Sequence, residues 1–443
     1  MIANVKKYCL TVMFCAGLLV APCYAGANPV VLDLDSAIQM ALRNNPKTFI
    51  ADGELKSAEG NKKQAIGQFG PQVTFNHNST RSHSYQPASV GGALVYQEVS
   101  ENFSNTARVT LPVFTAGKRQ GTISASRRNY EIAELEIGRT NQEVKLDATT
   151  AYFDVLQTRN LVKLNQESVT RLEEHLKNVQ AQFSVGIVAK VDVLRSEVEL
   201  ADAQQELIKA ENNYDIAIAT LNNVVGLPLD TELVVNEELT HEEYIKTIED
   251  CIDFSNKHRP EILQAEKAIR AAKSSVLAAR SGYYPNVSVS AAYQWDKDDF
   301  PGDQKSNWSV GATLNFNVFD SQVTRGAVDT AQGNLLQREA SYKQTKDNVF
   351  LAVRSNYLSL REAEKRIQTS SVTVEKAQED YMIAQVRYQA GVGTNTDVLD
   401  AQVALTKAQV NYVQALYDYN TSWANLENAM GVPVFPEDDS VKN

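Results

Sequence analysis

The chain has 443 residues, 43 basic and 54 acidic side chains, and a hydrophobic fraction of 43%. These are the proportions of a folded protein, and a formal charge of −11 argues against nucleic acid or anionic lipid headgroups as the main partner. Three of the four cysteines, Cys9, Cys15 and Cys23, fall in the first 25 residues, which leaves Cys251 without an intrachain disulfide partner or a cysteine metal site.

Residues 1–25 read as a secretory signal. Lys6 and Lys7 form a basic start, Cys9 to Val20 an apolar run, and Cys23-Tyr24-Ala25 ends in the small residue required for cleavage. The run is shorter than the roughly 20 residues that span a bilayer, and Pro22 sits where a lipoprotein site at Cys23 needs a small residue. Cleavage after Ala25 removes two lysines and no acid, taking the charge from −11 to −13. Beyond it no apolar stretch is long enough for a transmembrane helix, so any membrane crossing must be made by strands.

The remaining chain repeats itself. FSVGIVAKVDVL (183–194) matches YQAGVGTNTDVL (388–399) at an offset of 205, which also carries Tyr152 onto Tyr357, Tyr214 onto Tyr419 and Gly226-Leu227-Pro228 onto Gly431-Val432-Pro433. Upstream the offset is 214, taking Asn45-Pro46 to Arg259-Pro260 and Pro71 to Pro285. The difference is a longer loop in the first copy, within the Ser/Gly/Asn-rich stretch 79–102. The units are residues 26–228 and 244–433, joined by an acidic linker over 229–243 and followed by a tail over 434–443.

Each copy predicts helix, strand, strand, very long helix, tight turn, helix. The first helix spans 36–67. A strand follows in which Phe103, Ala107, Val109, Leu111 and Val113 alternate with polar residues. From 117 to 184 there is no proline, which predicts a helix roughly 100 Å long, and the helix over 191–225 is roughly half that. In the second copy Val287, Val289, Ala291, Tyr293 and Trp295 alternate on one strand, and Trp308, Val310, Ala312, Leu314, Phe316 and Val318 on the next. Such period-2 patterning marks strands with one apolar face. Trp295 and Trp308 flank the polar loop between them, as aromatic residues do at a bilayer interface. A strand pair on a soluble core explains the alternation equally well. Heptad-like spacing at Val191, Leu194, Val198 and Ala201, and at Leu399, Val403, Val410 and Val413, predicts coiled-coil packing. Four strands cannot close a membrane barrel, since about eight are needed. Three chains supply twelve strands and a helical tunnel, whereas a dimer's eight would leave a lumen filled by side chains.

The duplicated [FY]-x-x-G-x-x-x-x-x-D-V-L hairpin, the Gly-x-Pro closing each copy and the strand pairs resemble the TolC family of outer-membrane efflux channels over essentially the whole mature chain. The resemblance implies a homotrimeric channel-tunnel: an α-helical barrel across the periplasm joined to a twelve-stranded transmembrane β-barrel in outer-membrane lipid. It further implies docking to a periplasmic adaptor (membrane fusion) protein and to an inner-membrane transporter of the RND or ABC type. A periplasmic coiled-coil scaffold without a pore is the competing reading.

Asp397 and Asp400 share a helix face just after the second turn. Acids there also complement the helix dipole, and Thr394 with Asp397 resembles a capping box. The resemblance makes the pair a periplasmic constriction of six carboxylates per trimer. The first copy has Asp192 at the equivalent position but Arg195 in place of the second acid, so one hairpin of the two is expected to form the ring. By the same resemblance Tyr388 is the gate tyrosine and Asp192 its carboxylate partner. The family's gate arginine falls on Gly393, leaving Lys190 or Arg195 as substitutes. Gly186, Gly391 and Gly393 suit tight turns. With Val185, Ile187 and Val392 they are the hairpin tips on which the resemblance places adaptor docking. No metal site or cofactor is expected. His77, His83, His175, His241 and His258 are scattered, and no HExxH, GxSxG or Walker loop occurs, so an enzyme is not expected.

Overall fold

The computed structural model describes residues 30–82, 88–90, 93–95, 100–297 and 305–434. The leader over 1–25, most of the loop between Trp295 and Trp308, and the tail beyond Val434 lie outside the described residues.

Chain order begins with β1 (Val30–Leu32), α1 (Leu34–Asn44) and α2 (Pro46–Gly67). The single helix expected over 36–67 is therefore two. Pro46 disfavours helical geometry at Asn45, which sits at φ −68°, ψ 130° and accepts the Lys47 amide on its side chain at 3.0 Å. The break recurs in the second half, where Arg259-Pro260 separates two helices described below. Next come β2 (Gln72–Ser82), the short hairpin β3 (Ala88–Val90) and β4 (Ala93–Val95), and β5 (Ser100–Phe114). The helices α3 (Lys118–Ser184) and α4 (Lys190–Val225) follow, of 67 and 36 residues.

The stretch 229–243 contains β6 (Leu233–Val235), which pairs in parallel with β1 and ties the middle of the chain to its start. The second half comprises α5 (Ile248–His258), α6 (Pro260–Arg280), β7 (Asn286–Lys297), β8 (Lys305–Asn315), α7 (Val323–Gln389) and α8 (Asn395–Met430). Its two hairpin helices again have 67 and 36 residues.

The four long strands form one antiparallel sheet in the order β2-β5-β7-β8. Its registers reproduce the sequence offsets: Phe75 faces Ala107, and their counterparts Val289 and Ala312 face each other. One face of the sheet is apolar and carries Phe75, Val109, Val289, Tyr293, Trp308 and Leu314. Trp308 lies opposite Tyr293, whose ring is 5.5 Å from that of Trp295, which is in turn 5.8 Å from Phe75. The outer strands β2 and β8 are exposed along their whole length.

The core lies at mid-length, where α1 and α5 brace the long helices. It is built from matched positions in both copies: Val144 and Val349, Ala148 and Val353, Val155 and Leu360, Leu221 and Leu426. No described helix is long and apolar enough to cross a membrane.

Each long helix starts from a two-residue elbow in left-handed conformation, Ala116-Gly117 in one copy and Ser321-Gln322 in the other. The elbow is stapled alike in both, by Thr115 Oγ1 accepting the Arg119 amide at 3.2 Å and by Asp320 accepting the Thr324 amide at 2.8 Å. Only the first elbow uses glycine where φ exceeds 70°; Gln322 holds φ +71° at the steric cost of a Cβ. Gln322→Gly is expected to stabilise the protein by about 1 kcal/mol, read as a higher denaturant midpoint. An unchanged or lower midpoint would show that the elbow is not strained.

Candidate functional site: the paired hairpin tips

The turns α3–α4 and α7–α8 lie at the end of the helices remote from the sheet. Gly186 (φ +78°) and Gly391 (φ +74°) occupy the left-handed position that closes each helix. In the first turn the Gly186 and Ile187 amides donate to the Phe183 and Gln182 carbonyls; in the second, Gly391 and Val392 donate to Tyr388 and Arg387. The Val185, Ile187 and Val392 side chains project into solvent, each about 70% exposed. The tips are thus small apolar knobs on a polar shaft.

Gly393 differs from its counterpart in doing more than turning. Its amide adds a third bond to Arg387 O at 3.1 Å. A Cβ there would stand 3.0 Å from the Tyr388 nitrogen and 3.1 Å from Arg387. This turn is wound too tightly to take a side chain without shifting its neighbours.

Asp397 and Asp400 are both exposed at the start of α8. Asp397 completes a capping box: its carboxylate accepts the Thr394 amide at 2.9 Å, and its own amide donates to Thr394 Oγ1 at 3.2 Å. These bonds, the Thr394 backbone first, hold its carboxyl below the usual range. Asp400 stands near α4, where burial, then Asp202, then Asp400 push the Glu199 carboxyl up.

The bond expected between Tyr388 and Asp192 is not made. Tyr388 is 7% exposed, and its hydroxyl is buried without a hydrogen-bond partner among the described residues. Burial, then the nearby Asp192 charge, raises its ionisation above the usual phenol range. Within the chain the two groups are electrostatic neighbours.

Nearest the tips, the bonds that join the two hairpins converge on Asn395 and Thr396, the first residues of α8. His175 on α3, 6% exposed, lies 2.6 Å from Asn395 Oδ1 through its Nε2. Asn395 Nδ2 donates to Asp192 O at 3.1 Å and to Ser196 Oγ at 3.3 Å, both on α4. Arg195 on α4 donates to Thr396 Oγ1 at 2.8 Å. Of the two substitutes considered for the missing arginine, Arg195 reaches the other hairpin. A turn or two higher, Arg171 and Ser168 of α3 bond Gln402 of α8. None of His175, Asn395, Ser196 or Gln402 stood out in the sequence. The available signal was spacing: Ser168, Leu172, His175 and Val179 follow the helical period and are all buried, so a histidine sits in an otherwise structural stripe.

Comparison with known proteins places these features in context. The profile of the family described as "Outer membrane efflux protein" matches residues 37–227 and 252–432. The Outer membrane protein TolC of Escherichia coli K12 is 21% identical over 413 residues, covering 90% of this chain and 82% of that protein. The Alkaline protease secretion protein AprF of Pseudomonas aeruginosa is 24% identical over 419 residues, covering 90% and 85%. The Campylobacter jejuni CmeC outer membrane channel superposes with a TM-score of 0.81 over 90% of this chain and 85% of its own, at 17% identity. The fold is that of these channels, a helical barrel continuing into a β-barrel.

Proposed function

Because this chain belongs to the outer membrane efflux protein family, we infer that it is the outer-membrane exit duct of an export machine, passing small molecules or proteins without catalysing a reaction. The observation that carries this reading is the four-stranded sheet: apolar on one face, open at both edges and mounted on helices roughly 100 Å long. Such a sheet is incomplete alone, because an unpaired edge must find a strand. Residues 26–228 and 244–433 serve as the two units of the protomer and 229–243 as their link. The apolar knobs at Val185, Gly186, Ile187, Gly391, Val392 and Gly393 suit a periplasmic adaptor that also engages an inner-membrane RND or ABC transporter. The aromatic residues around Trp295 and Trp308 suit the lipid interface.

The internal symmetry suggests a way for copies to join. Within the chain β5 pairs with β7, placing Ala107 opposite Tyr293. Applying the offsets, β8 should pair with β2 of a neighbouring protomer, placing Ala312 opposite Ser79 of the partner subunit. A second detail supports this joint. The last residues of β5, Leu111 to Phe114, are held in the sheet by β7. Their counterparts Phe316 to Phe319 lie beyond the end of β8, exposed, with no strand beside them among the described residues. The neighbour's β2 would extend β8 through this segment and cover Phe316 and Phe319, along with Val73 and Phe75 of the partner subunit.

The test is cysteine cross-linking in outer-membrane fractions. Ala312→Cys with Ser79→Cys should oxidise to a ladder ending at a covalent trimer, and Ala312→Cys with Arg81→Cys, two residues out of register, should not. Cys251, buried, does not interfere. A protein that washes off membranes without detergent and gives no ladder would be the poreless scaffold instead.

A further inference from the structure

We propose that His175, Asn395 and Arg195 form the latch of the periplasmic gate in this protein, holding the inner hairpin α7–α8 against the outer hairpin α3–α4. The proposal rests on the duct reading above and adds which side chains control it.

The argument starts from what is missing. The tyrosine that the resemblance pairs across the hairpins has a buried hydroxyl with no hydrogen-bond partner among the described residues, and position 393 is a glycine, which offers no guanidinium. An inner hairpin with neither bond needs another hold. The first turn of α8 supplies it, because Asn395 is buried between α3 and α4 with its amide fully engaged. Its NH2 points at the Asp192 carbonyl and Ser196 Oγ, so its Oδ1 is the acceptor and His175 Nε2 must be the donor. Ser196 Oγ itself donates to Asp192 O at 3.0 Å, which fixes the orientation of the whole node. Arg195 clasps the neighbouring Thr396 from outside. The bonds of Asn395 and Thr396 all run from α8 to α3 or α4, so parting the hairpins breaks these together and leaves only the Ser196–Asp192 bond within α4. An unpaired amide left in this cleft would be costly, which makes the joined arrangement a well-defined state.

The histidine gives this latch a distinguishing property. Burial holds His175 below its ordinary value, against an opposing contribution from Asn395. The charged and titratable groups around it are Arg171 on its own helix, Asp192 and Arg195 on α4, the Tyr388 phenol on α7, 5.4 Å ring to ring, and Asp397 on α8, which is engaged with Thr394. The joined state keeps His175 neutral, whereas parted hairpins hydrate it and restore its ordinary affinity for a proton. The joined state is therefore fully favoured above about pH 6.5 and loses ground as the pH falls below that value. Glu199, raised by burial and its acidic neighbours, is the control for titration of carboxylates nearby.

The experiment is single-channel recording from the purified full-length trimer in planar bilayers, comparing pH 7.5 with pH 5.5. At pH 7.5 Asn395→Ala should raise the open probability about tenfold, the equivalent of one or two buried hydrogen bonds. Thr396→Val, which removes only the exposed Arg195 bond, should raise it about twofold. Acid should open the parent and Glu199→Gln alike. His175→Gln retains an uncharged N–H donor, so it should stay closed like the parent at pH 7.5 and show no response to acid. The latch is overturned if Asn395→Ala stays as closed as the parent, or if His175→Gln opens in acid as the parent does. Should Asn395→Ala fail to assemble, Thr396→Val and His175→Gln decide the matter by the same criteria. A parent that conducts at no pH contradicts the duct itself, and the latch with it. A conducting parent whose variants behave identically contradicts the latch alone.

Discussion

A multivalent cation added from the hairpin side should block conductance, and Asp397→Ala/Asp400→Ala should remove that block. In the proposed trimer, Asp397 and Asp400 of three chains would place six carboxylates within a Debye length of about 8 Å, where salt screens them poorly. Two unit charges at that distance interact by about 2 kcal/mol at an effective dielectric of about 20. Removing several of them from the reach of one multivalent ion should weaken block by on the order of a hundredfold. The capping box refines the expectation. Thr394 stabilises the ionised form of Asp397 and holds its carboxyl below the ordinary aspartate range, in opposition to repulsion within the ring, which favours proton uptake. Assembly should survive the double variant, because the sheet and the mid-length core lie elsewhere. If Asp192→Ala abolished block while the double variant kept it, the ring would belong to the other hairpin. Block unchanged in both would make Asp397 and Asp400 ordinary helix-start acids.

Gly226→Ala and Gly431→Ala should each cost about 2–5 kcal/mol, whereas Gly186→Ala should cost about 1–2 kcal/mol. All three glycines are left-handed, at φ +77°, +76° and +78°, and an L-residue there pays about 1–2 kcal/mol. Space separates them. A Cβ on Gly226 would stand 2.6 Å from the Asn44 Cβ, and one on Gly431 2.9 Å from the Arg259 Cα, so helix ends must move at a further 1–3 kcal/mol. At Gly186 nothing lies within 4 Å. Denaturant midpoints of the assembled protein read the difference, and equal losses at all three positions would mean that backbone strain alone matters. These closing glycines matter because each docks the end of a short helix on the break between the paired helices of its own half, α1–α2 or α5–α6.

Much of this molecule could be read from its residues, and the reason is periodicity. The absence of proline over 117–184 produced a helix that begins at Lys118 and ends at Ser184, because backbone hydrogen bonding is local and glycine punctuates its end. The offsets of 205 and 214 became strand registers, since alternation along a strand permits no one-residue slip without turning every side chain to the opposite face. The resemblance carried by the hairpins and the Gly-x-Pro closures led to the family. A local rule also explains why the helix expected over 36–67 is two, since a residue before proline is disfavoured in helical geometry and Asn45 precedes Pro46.

Contacts between elements distant in the chain were decided by tertiary structure alone. Tyr388 and Asp192 carried the gate by resemblance, yet the phenol has no hydrogen-bond partner among the described residues, because whether two side chains meet depends on helix rotations of a few degrees that no spacing encodes. His175 and Asn395, 220 positions apart, bond each other; singly, one is a stray histidine and the other an unremarkable residue after a turn. Arg195 reads in sequence as the absence of an acid, but packing α4 against α8 turns it into the donor that grips Thr396. Backbone pattern is a local property and survives in one dimension, whereas a polar node made by three helices exists only once their axes are fixed in space.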